Sequence, residues 1–283
     1  MRLAALIASA FVATCCNAQA QDPSFERAWK TGEFETPESV LYVEALDAFL
    51  VSNIAGVPTT KEDGDGYVSR LSLDGKIVEK RFVDGLDAPK GMAATEDRLY
   101  VSDINDLVEI DMNKRRVVRR YPVEGAEFLN DVTIAPDGRV LVSDMRTGKI
   151  HALVNGEMAV WSDDARLIDE TGGINGLLAE DERLLALVGD RLYSVDWNDR
   201  SFTEVISGVG TGDGLVPDGR GGYVLTQWAG RIFHLSAEGT LSVVSDTRLM
   251  GVNTADPGWA PGAGVFAVPT FFDNAVLGFR FKE

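Results

Sequence analysis

Short runs of alternating apolar and polar residues recur along this chain, and Asp-Gly pairs interrupt them at intervals too short for helices. One four-residue pattern returns six times: Val68-Ser69-Arg70-Leu71, Val108-Glu109-Ile110-Asp111, Ile150-His151-Ala152-Leu153, Leu192-Tyr193-Ser194-Val195, Ile232-Phe233-His234-Leu235 and Leu277-Gly278-Phe279-Arg280. Their first residues stand 40, 42, 42, 40 and 45 positions apart, which is the regularity of a radial or stacked array. Each copy follows a strand such as LYVSD (99–103), VLVSD (140–144) or YVLTQ (223–227) and precedes another such as KIVEKRFV, RVVRRYPV or TLSVVS. A further strand comes before all three, and Asp74-Gly75, Asp137-Gly138 and Asp218-Gly219 supply tight turns. The prediction is an all-β chain, a six-bladed β-propeller with four antiparallel strands per blade. The sixth unit stops at Glu283, directly after its third strand. Its outer strand is therefore expected from Phe25 to Lys30, which would close the ring and remove an exposed edge.

Residues 1–20 are set apart from that repeat. Arg2, an uncharged stretch from Leu3 to Cys16, and Ala18-Gln19-Ala20 before Gln21 have the layout of a secretory signal peptide. The fold is accordingly assigned to one domain, residues 21–283, expected to be exported and either periplasmic or secreted. Val12-Ala13-Thr14-Cys15 leaves a lipid-anchored form as the alternative. No other stretch is apolar for long enough to span a bilayer. Both cysteines, Cys15 and Cys16, lie in the leader, so the mature domain is expected to have no disulfide and to depend on packing.

The chain carries 27 basic and 44 acidic residues, a net charge of −17, and loss of the leader removes only Arg2 from that balance. Such a surface disfavours nucleic acid and anionic membranes as partners and suits small molecules or cations. The two histidines, His151 and His234, both fall in the recurring strand, away from the centre, where packing explains them. A histidine-built zinc site is nearly excluded by that count. There is no GxSxG or HExxH, and Gly208-Val209-Gly210-Thr211-Gly212 is followed by no helical pattern, so it is read as a turn. Asp63-Gly64-Asp65-Gly66 imitates the start of a calcium loop but has Val68 where a Gly is required, and it is read as a hairpin loop or flap.

The stretch FLNDVTIAPDG (128–138) opens an apolar strand on Asn130-Asp131. In an up-and-down blade the innermost strand starts at the mouth of the central channel, so its opening residue faces the axis. Counting back 17 to 21 residues from the recurring strand gives Lys90, Asn130, Asn175, Asp213 and Asp256, and Glu38 stands 30 back in the first unit. Glu38, Asn130, Asn175 and Asp213 would converge as two carboxylates and two amides. Such oxygen donors suit a hard divalent cation, Ca²⁺ first, with Mg²⁺ or Mn²⁺ behind it. The plainer reading of any single position is an Asn or Asp capping a loop. Loops between second and third strands are expected to bring Asn53, Asp103, Asp144, Trp228, Phe271 and Phe272 to the same mouth, the aromatics forming an apolar substrate wall or sealing the blades. Lys90 is expected to hold a substrate carboxylate or a developing oxyanion, or to pair with Asp256 across the channel.

The segments PESVLY, FLNDVTIAPDG, INGLLAED and GDGLVPDG resemble the metal-binding motifs of the gluconolactonase and senescence-marker-protein (regucalcin) family, over nearly the whole mature chain. The resemblance implies a six-bladed propeller with one divalent cation at the axis, held at Glu38, Asn130, Asn175 and Asp213, with Asp213 also at the position of the family's proposed general base. Sugar-lactone hydrolases of that family carry Arg two residues before the first Asn, where this chain has Phe128, and EGPVW where it has PESVL. The metal cup is thus retained in pattern and the sugar-binding part is not. The expected function is a metal-dependent hydrolase of a lactone or related ester, with Ca²⁺ as the leading cofactor and Mg²⁺, Mn²⁺ or Zn²⁺ as alternatives. Asp213 would act as ligand and base, and Lys90, Phe128, Trp228, Phe271 and Asp256 would contact substrate. The rival from another class is a non-catalytic propeller whose cation ties the blades together and whose mouth binds a ligand or protein.

Overall fold

The computed structural model describes residues 24–282, so the expected signal peptide, residues 1–20 with Cys15 and Cys16, lies outside the described residues. Six antiparallel sheets form the blades of a propeller. Blade one consists of Pro37–Val43, Ala48–Asn53, Gly66–Leu71 and Ile77–Leu86, and blade two of Pro89–Ala94, Arg98–Asp103, Asp106–Asp111 and Arg116–Pro122. Blade three is Leu129–Ile134, Val140–Asp144, Lys149–Val154 and Glu157–Ser162; blade four is Gly172–Ala179, Arg183–Val188, Arg191–Asp196 and Phe202–Ser207, with a two-residue strand, Ile168–Asp169, added at its inner edge. Blade five is Gly212–Pro217, Tyr223–Gln227, Arg231–Leu235 and Leu241–Asp246, and blade six begins Gly258–Ala260, Val265–Thr270 and Ala275–Phe281. The six recurring quartets are the third strands of the six blades.

Burial explains why the strands read differently. The second strand of blade three, VLVSD, is buried at every position because its two faces meet neighbouring blades, whereas the outer strand RVVRRYP of blade two keeps only Tyr121 fully inside. Apolar side chains fill each interface. Val68, Leu50 and Phe82 of blade one meet Met92, Leu99 and Val108 of blade two. Leu141, Ile150 and Trp161 of blade three meet Ile174, Leu184 and Val195 of blade four. The remaining four interfaces are filled in the same way. The Asp-Gly turns are present as expected, with Gly75, Gly138 and Gly219 at φ 82°, 86° and 72°, where a side chain is disfavoured.

The ring closes through the N-terminal strand, Phe25–Thr31, which pairs antiparallel with Ala275–Phe281 as the fourth strand of blade six. Its register slips between Arg27 and Trp29. One extra residue flips the faces. Phe25 consequently packs with Val224, Ile232 and Phe266 at the interface with blade five, while Trp29 packs toward Leu71 and Ile77 of blade one. The Trp29 indole donates to the Leu73 carbonyl at 3.0 Å, and the Thr31 hydroxyl donates to the Gly75 carbonyl.

Candidate functional site

The site is built from a bulge repeated around the axis. In blades one to five the register between inner and second strand slips once, between Pro37 and Val40, Pro89 and Met92, Leu129 and Val132, Ile174 and Leu177, and Gly212 and Leu215. The residues caught in the slip are Glu38-Ser39, Lys90-Gly91, Asn130-Asp131, Asn175-Gly176 and Asp213-Gly214. A bulge re-aims side chains and leaves backbone groups off the ladder. Hydroxyls on the second strands take those groups. Ser52 accepts from Ser39 N at 2.9 Å, Ser143 from Asp131 N at 2.9 Å and Thr226 from Gly214 N at 3.0 Å. Two hydroxyls also reach the next blade, Ser102 donating to the Asn130 carbonyl and Ser143 to the Asn175 carbonyl at 2.8 Å. The first residue of each pair is thereby fixed at the mouth of the channel.

Glu38, Lys90, Asn130, Asn175 and Asp213 line one cavity of about 250 Å³, and all five are buried. Its walls are Phe128, Trp228, Phe271 and Phe272, together with Ile54, Val57, Met145, Thr59 and Thr211. Trp228 meets Phe271 and Phe272 edge-on at 5.0 and 6.1 Å between ring centroids. The last five wall residues were not singled out from sequence. Val57 and Thr59 belong to the long loop 54–65 between the second and third strands of blade one, the loop that also holds Asp63-Gly64-Asp65, and its length was the signal that it could reach the axis. Met145 follows VLVSD directly, and Thr211 immediately precedes the inner strand of blade five.

Three expected mouth residues have a different task. Asn53 accepts from Glu35 N and donates to Val51 O and Ser69 Oγ. Asp103 accepts from Asp87 N, Ala88 N and the Arg120 guanidinium. Asp144 accepts from Glu127 N and Phe128 N. Each follows the serine of its second strand and holds the loop that feeds the inner strand of its own blade. Their side chains are therefore spent on backbone amides, outside the cavity lining.

Asp256 also departs from expectation. The backbone keeps it at cup level, since Ala255 N donates to Pro269 O and Gly258 pairs with Ala267. Its side chain turns the other way, accepts from Ser39 Oγ at 2.6 Å, and lines the opposite opening of the channel with Asp131, Tyr42 and Trp259. Gly214 makes room, because a Cβ there would lie 2.0 Å from Asp256 Oδ1. The expected pairing of Asp256 with Lys90 is not formed. Lys90 Nζ instead donates to the Ala88 carbonyl at 3.1 Å and lies 4.7 Å from the centre of the Phe128 ring, whose position also receives the Arg146 guanidinium at 4.9 Å.

Four carboxylates thus share the channel with one lysine, Glu38 and Asp213 at the cup and Asp131 and Asp256 at the opposite opening. Burial, then Asp213 and Asp256, raises Glu38 well above the usual carboxylate range, and Lys90 opposes the shift. Asp213 is raised by burial and by Asp256 and Asp131. Asp131 is raised by burial and Asp256, although it accepts from Leu177 N and Val132 N at 2.6 Å each. Burial pushes Asp256 up to about 7 against the hydrogen bond from Ser39. Burial lowers Lys90, and Glu38 and Asp103 hold it up. Glu38 Oε2 and Asp213 Oδ1 are buried without any hydrogen-bond partner. Orphaned carboxylate oxygens in a strained acidic column fit a divalent cation, which would satisfy both and restore their charge. The fit relies on the amide oxygens of Asn130 and Asn175, since no three His, Cys, Asp or Glu side chains among the described residues cluster as a metal site.

No protein-family model matches the sequence, and a comparison with curated proteins found no match. Solved structures share its fold. A streptogramin B lyase superposes with a TM-score of 0.66 at 10% identity, covering 91% of this chain and 97% of that one. A virginiamycin B lyase from Staphylococcus aureus gives 0.65 at 12% identity, covering 91% and 100%. A protein provisionally assigned as a gluconolactonase gives 0.64 at 16% identity, covering 93% and 94%. At these identities the likeness establishes the six-bladed propeller, which is the fold that the resemblance implied.

Proposed function

We propose that the chain is an exported hydrolase that opens a lactone or related ester of apolar character, with one divalent cation, Ca²⁺ first, held by Glu38, Asn130, Asn175 and Asp213. The observation that carries this reading is the pair of buried, unpartnered oxygens, Glu38 Oε2 and Asp213 Oδ1, in a cavity shared with two amides and an aromatic wall. The fold shared with lyases and a provisionally assigned gluconolactonase agrees with it. When bound, such a cation supplies a Lewis acid for the substrate carbonyl. Asp213, whose Oδ1 has no hydrogen-bond partner, would give one carboxylate oxygen to the cation and accept the proton of the attacking water on the other. Lys90 uses one of its three donors on Ala88 and offers the others to negative charge that develops on the carbonyl oxygen. Phe128, Trp228 and Phe271 hold the apolar part of the substrate and exclude water. A polar sugar lactone would leave its hydroxyls unpaired against that wall.

The four proposed ligands come from four blades, so a cation there would also tie the ring together without any turnover. Asp213→Asn separates the two readings. It keeps an amide oxygen for the cation but cannot take a proton, so turnover of the best substrate in a screen of alkyl, aromatic and sugar lactones should fall about 10²-fold or more. Calorimetry should still find a cation site in that variant, and Asp213→Ala should abolish it. Full turnover by Asp213→Asn would remove the base from the proposal. Absence of turnover with Ca²⁺, Mg²⁺, Mn²⁺ and Zn²⁺, beside measurable cation binding, would favour the non-catalytic propeller.

A further inference from the structure

The cup has five contributing blades, and four of them supply oxygens. The fifth supplies Lys90, at the same bulge position as Glu38 on the adjacent inner strand. The residue is 1% exposed, and it lines the cavity from within. The Ala88 carbonyl is its hydrogen-bond acceptor, and the Phe128 ring covers one side. A buried lysine normally has an ion-pair partner. Among the described residues none lies within ion-pair distance of Lys90, although Glu38 and Asp213, each with an orphaned oxygen, line the same cavity. The cup therefore holds donors without acceptors and acceptors without donors.

We infer that Lys90 is a built-in counter-cation of the cup: it neutralises the carboxylates when no metal is present and weakens metal binding by repelling the incoming ion, so that it sets the cation affinity of the site. The inference rests on the proposed cation site and concerns a residue outside its ligand set. An ammonium and a divalent ion in one desolvated cup repel each other strongly, because each interacts with the other through low-dielectric protein rather than water. The same charge supports the metal-free fold, since without it the buried Glu38 would lose the cation that opposes its burial. Removing it should therefore act in opposite directions on the two forms.

Lys90→Met, which keeps the length and apolar stem of the side chain, and Lys90→Gln test this in the full mature chain. Isothermal calorimetry with CaCl₂ alone should show both variants binding one ion more tightly than the unchanged protein, on the order of 100-fold. Thermal denaturation in chelator should show both variants melting below the unchanged protein, and saturating Ca²⁺ should close or reverse that gap. Unchanged or weaker Ca²⁺ affinity in both variants, with a site present in the unchanged protein, would overturn the role of Lys90 and leave the proposed cation site standing. If neither the unchanged protein nor the variants bind Ca²⁺, Mg²⁺, Mn²⁺ or Zn²⁺, the cation site itself falls, and the inference with it. If Lys90→Met fails to fold while Lys90→Gln folds and binds no more tightly, the role of Lys90 is likewise overturned.

Discussion

The strand that closes the ring allows a test whose size follows from the packing on its two faces. Phe25 is 6% exposed and lies 4.9 Å from His234, 5.5 Å from Phe266 and 4.2 Å from Phe281 between ring centroids. Phe25→Ala should cost about 3–4 kcal/mol, the usual range for deleting a buried phenyl ring. Trp29 is half-buried, but it lies flat against Gly278, where a Cβ would come within 2.1 Å of its Cε2, and it donates to Leu73 O. Trp29→Ala should cost about 2–3 kcal/mol, less than a buried indole but including a lost hydrogen bond. The bulge sends the two rings to different blades, so the costs should add to within about 0.5 kcal/mol. The double variant should lose about 5–7 kcal/mol, comparable to the whole stability of many domains. At about 2–4 °C per kcal/mol for a domain of this size, its melting point should fall by about 10–28 °C. Calorimetry and urea denaturation of the two single variants and the double would measure this. A double variant melting within about 5 °C of the parent would refute the closure as a source of stability. Strong coupling between the two changes would show instead that the rings share neighbours and that the bulge does not separate them.

Cation-free protein should melt higher at pH 5 than at pH 8. Asp256 is raised to about 7, and Glu38, Asp131 and Asp213 are shifted the same way, so the folded state holds protons that the unfolded chain has released. That stability is complete below the unfolded carboxylate range near pH 4 and is lost as the pH rises through about 7. Saturating Ca²⁺ should flatten the profile by favouring the ionised form of its ligands, and a cation-free melting point that rises from pH 5 to pH 8 would contradict the assignment. Ser143→Ala removes the partner of Asp131 N and of the Asn175 carbonyl, and should cost about 1–3 kcal/mol by denaturant titration. It should also weaken Ca²⁺ binding, because Asn175 and Asp131, the bulge partner of Asn130, both lose a backbone anchor, whereas Ser236→Ala at a surface turn should do neither.

Blade number, strand order and ring closure were legible in the sequence because a period near forty and a two-residue alternation survive even where individual residues differ. The cup was legible for a narrower reason. A polar residue opening an apolar inner strand has no packing role, and the repeat places such residues at one height. What could not be read was the direction of each side chain. Asp256 occupies the cup position by backbone register, but Ser39 Oγ captures its carboxylate below the cup. Asn53, Asp103 and Asp144 sit at the ends of strands facing the mouth, and only the structure shows that amides of the loop leading into their own blade claim them first. In each case the deciding partner lies 15 or more residues away, beyond any local pattern.

The two residues of each bulge answer to different constraints, and this difference locates function within the fold. The second residue faces the neighbouring inner strand at close range. A Cβ on Gly91 would lie 2.5 Å from Asp131 Cα, and one on Gly176 would lie 2.8 Å from the Asp213 carbonyl. Packing therefore restricts that position to glycine in blades two, four and five, and where a side chain is present, as at Ser39 and Asp131, it is consumed in hydrogen bonds that hold adjacent blades together. The first residue faces the cavity and meets no such limit. Glu38, Lys90, Asn130, Asn175 and Asp213 differ in charge and length while their bulge registers remain equivalent. The ring can thus tolerate exchange of cup chemistry without rebuilding its core, provided the charges still balance. Under the proposed counter-cation role, that condition would fall on Lys90, the one cup residue without an oxygen donor, which is buried in the same cavity as the unpartnered Glu38 Oε2 and Asp213 Oδ1.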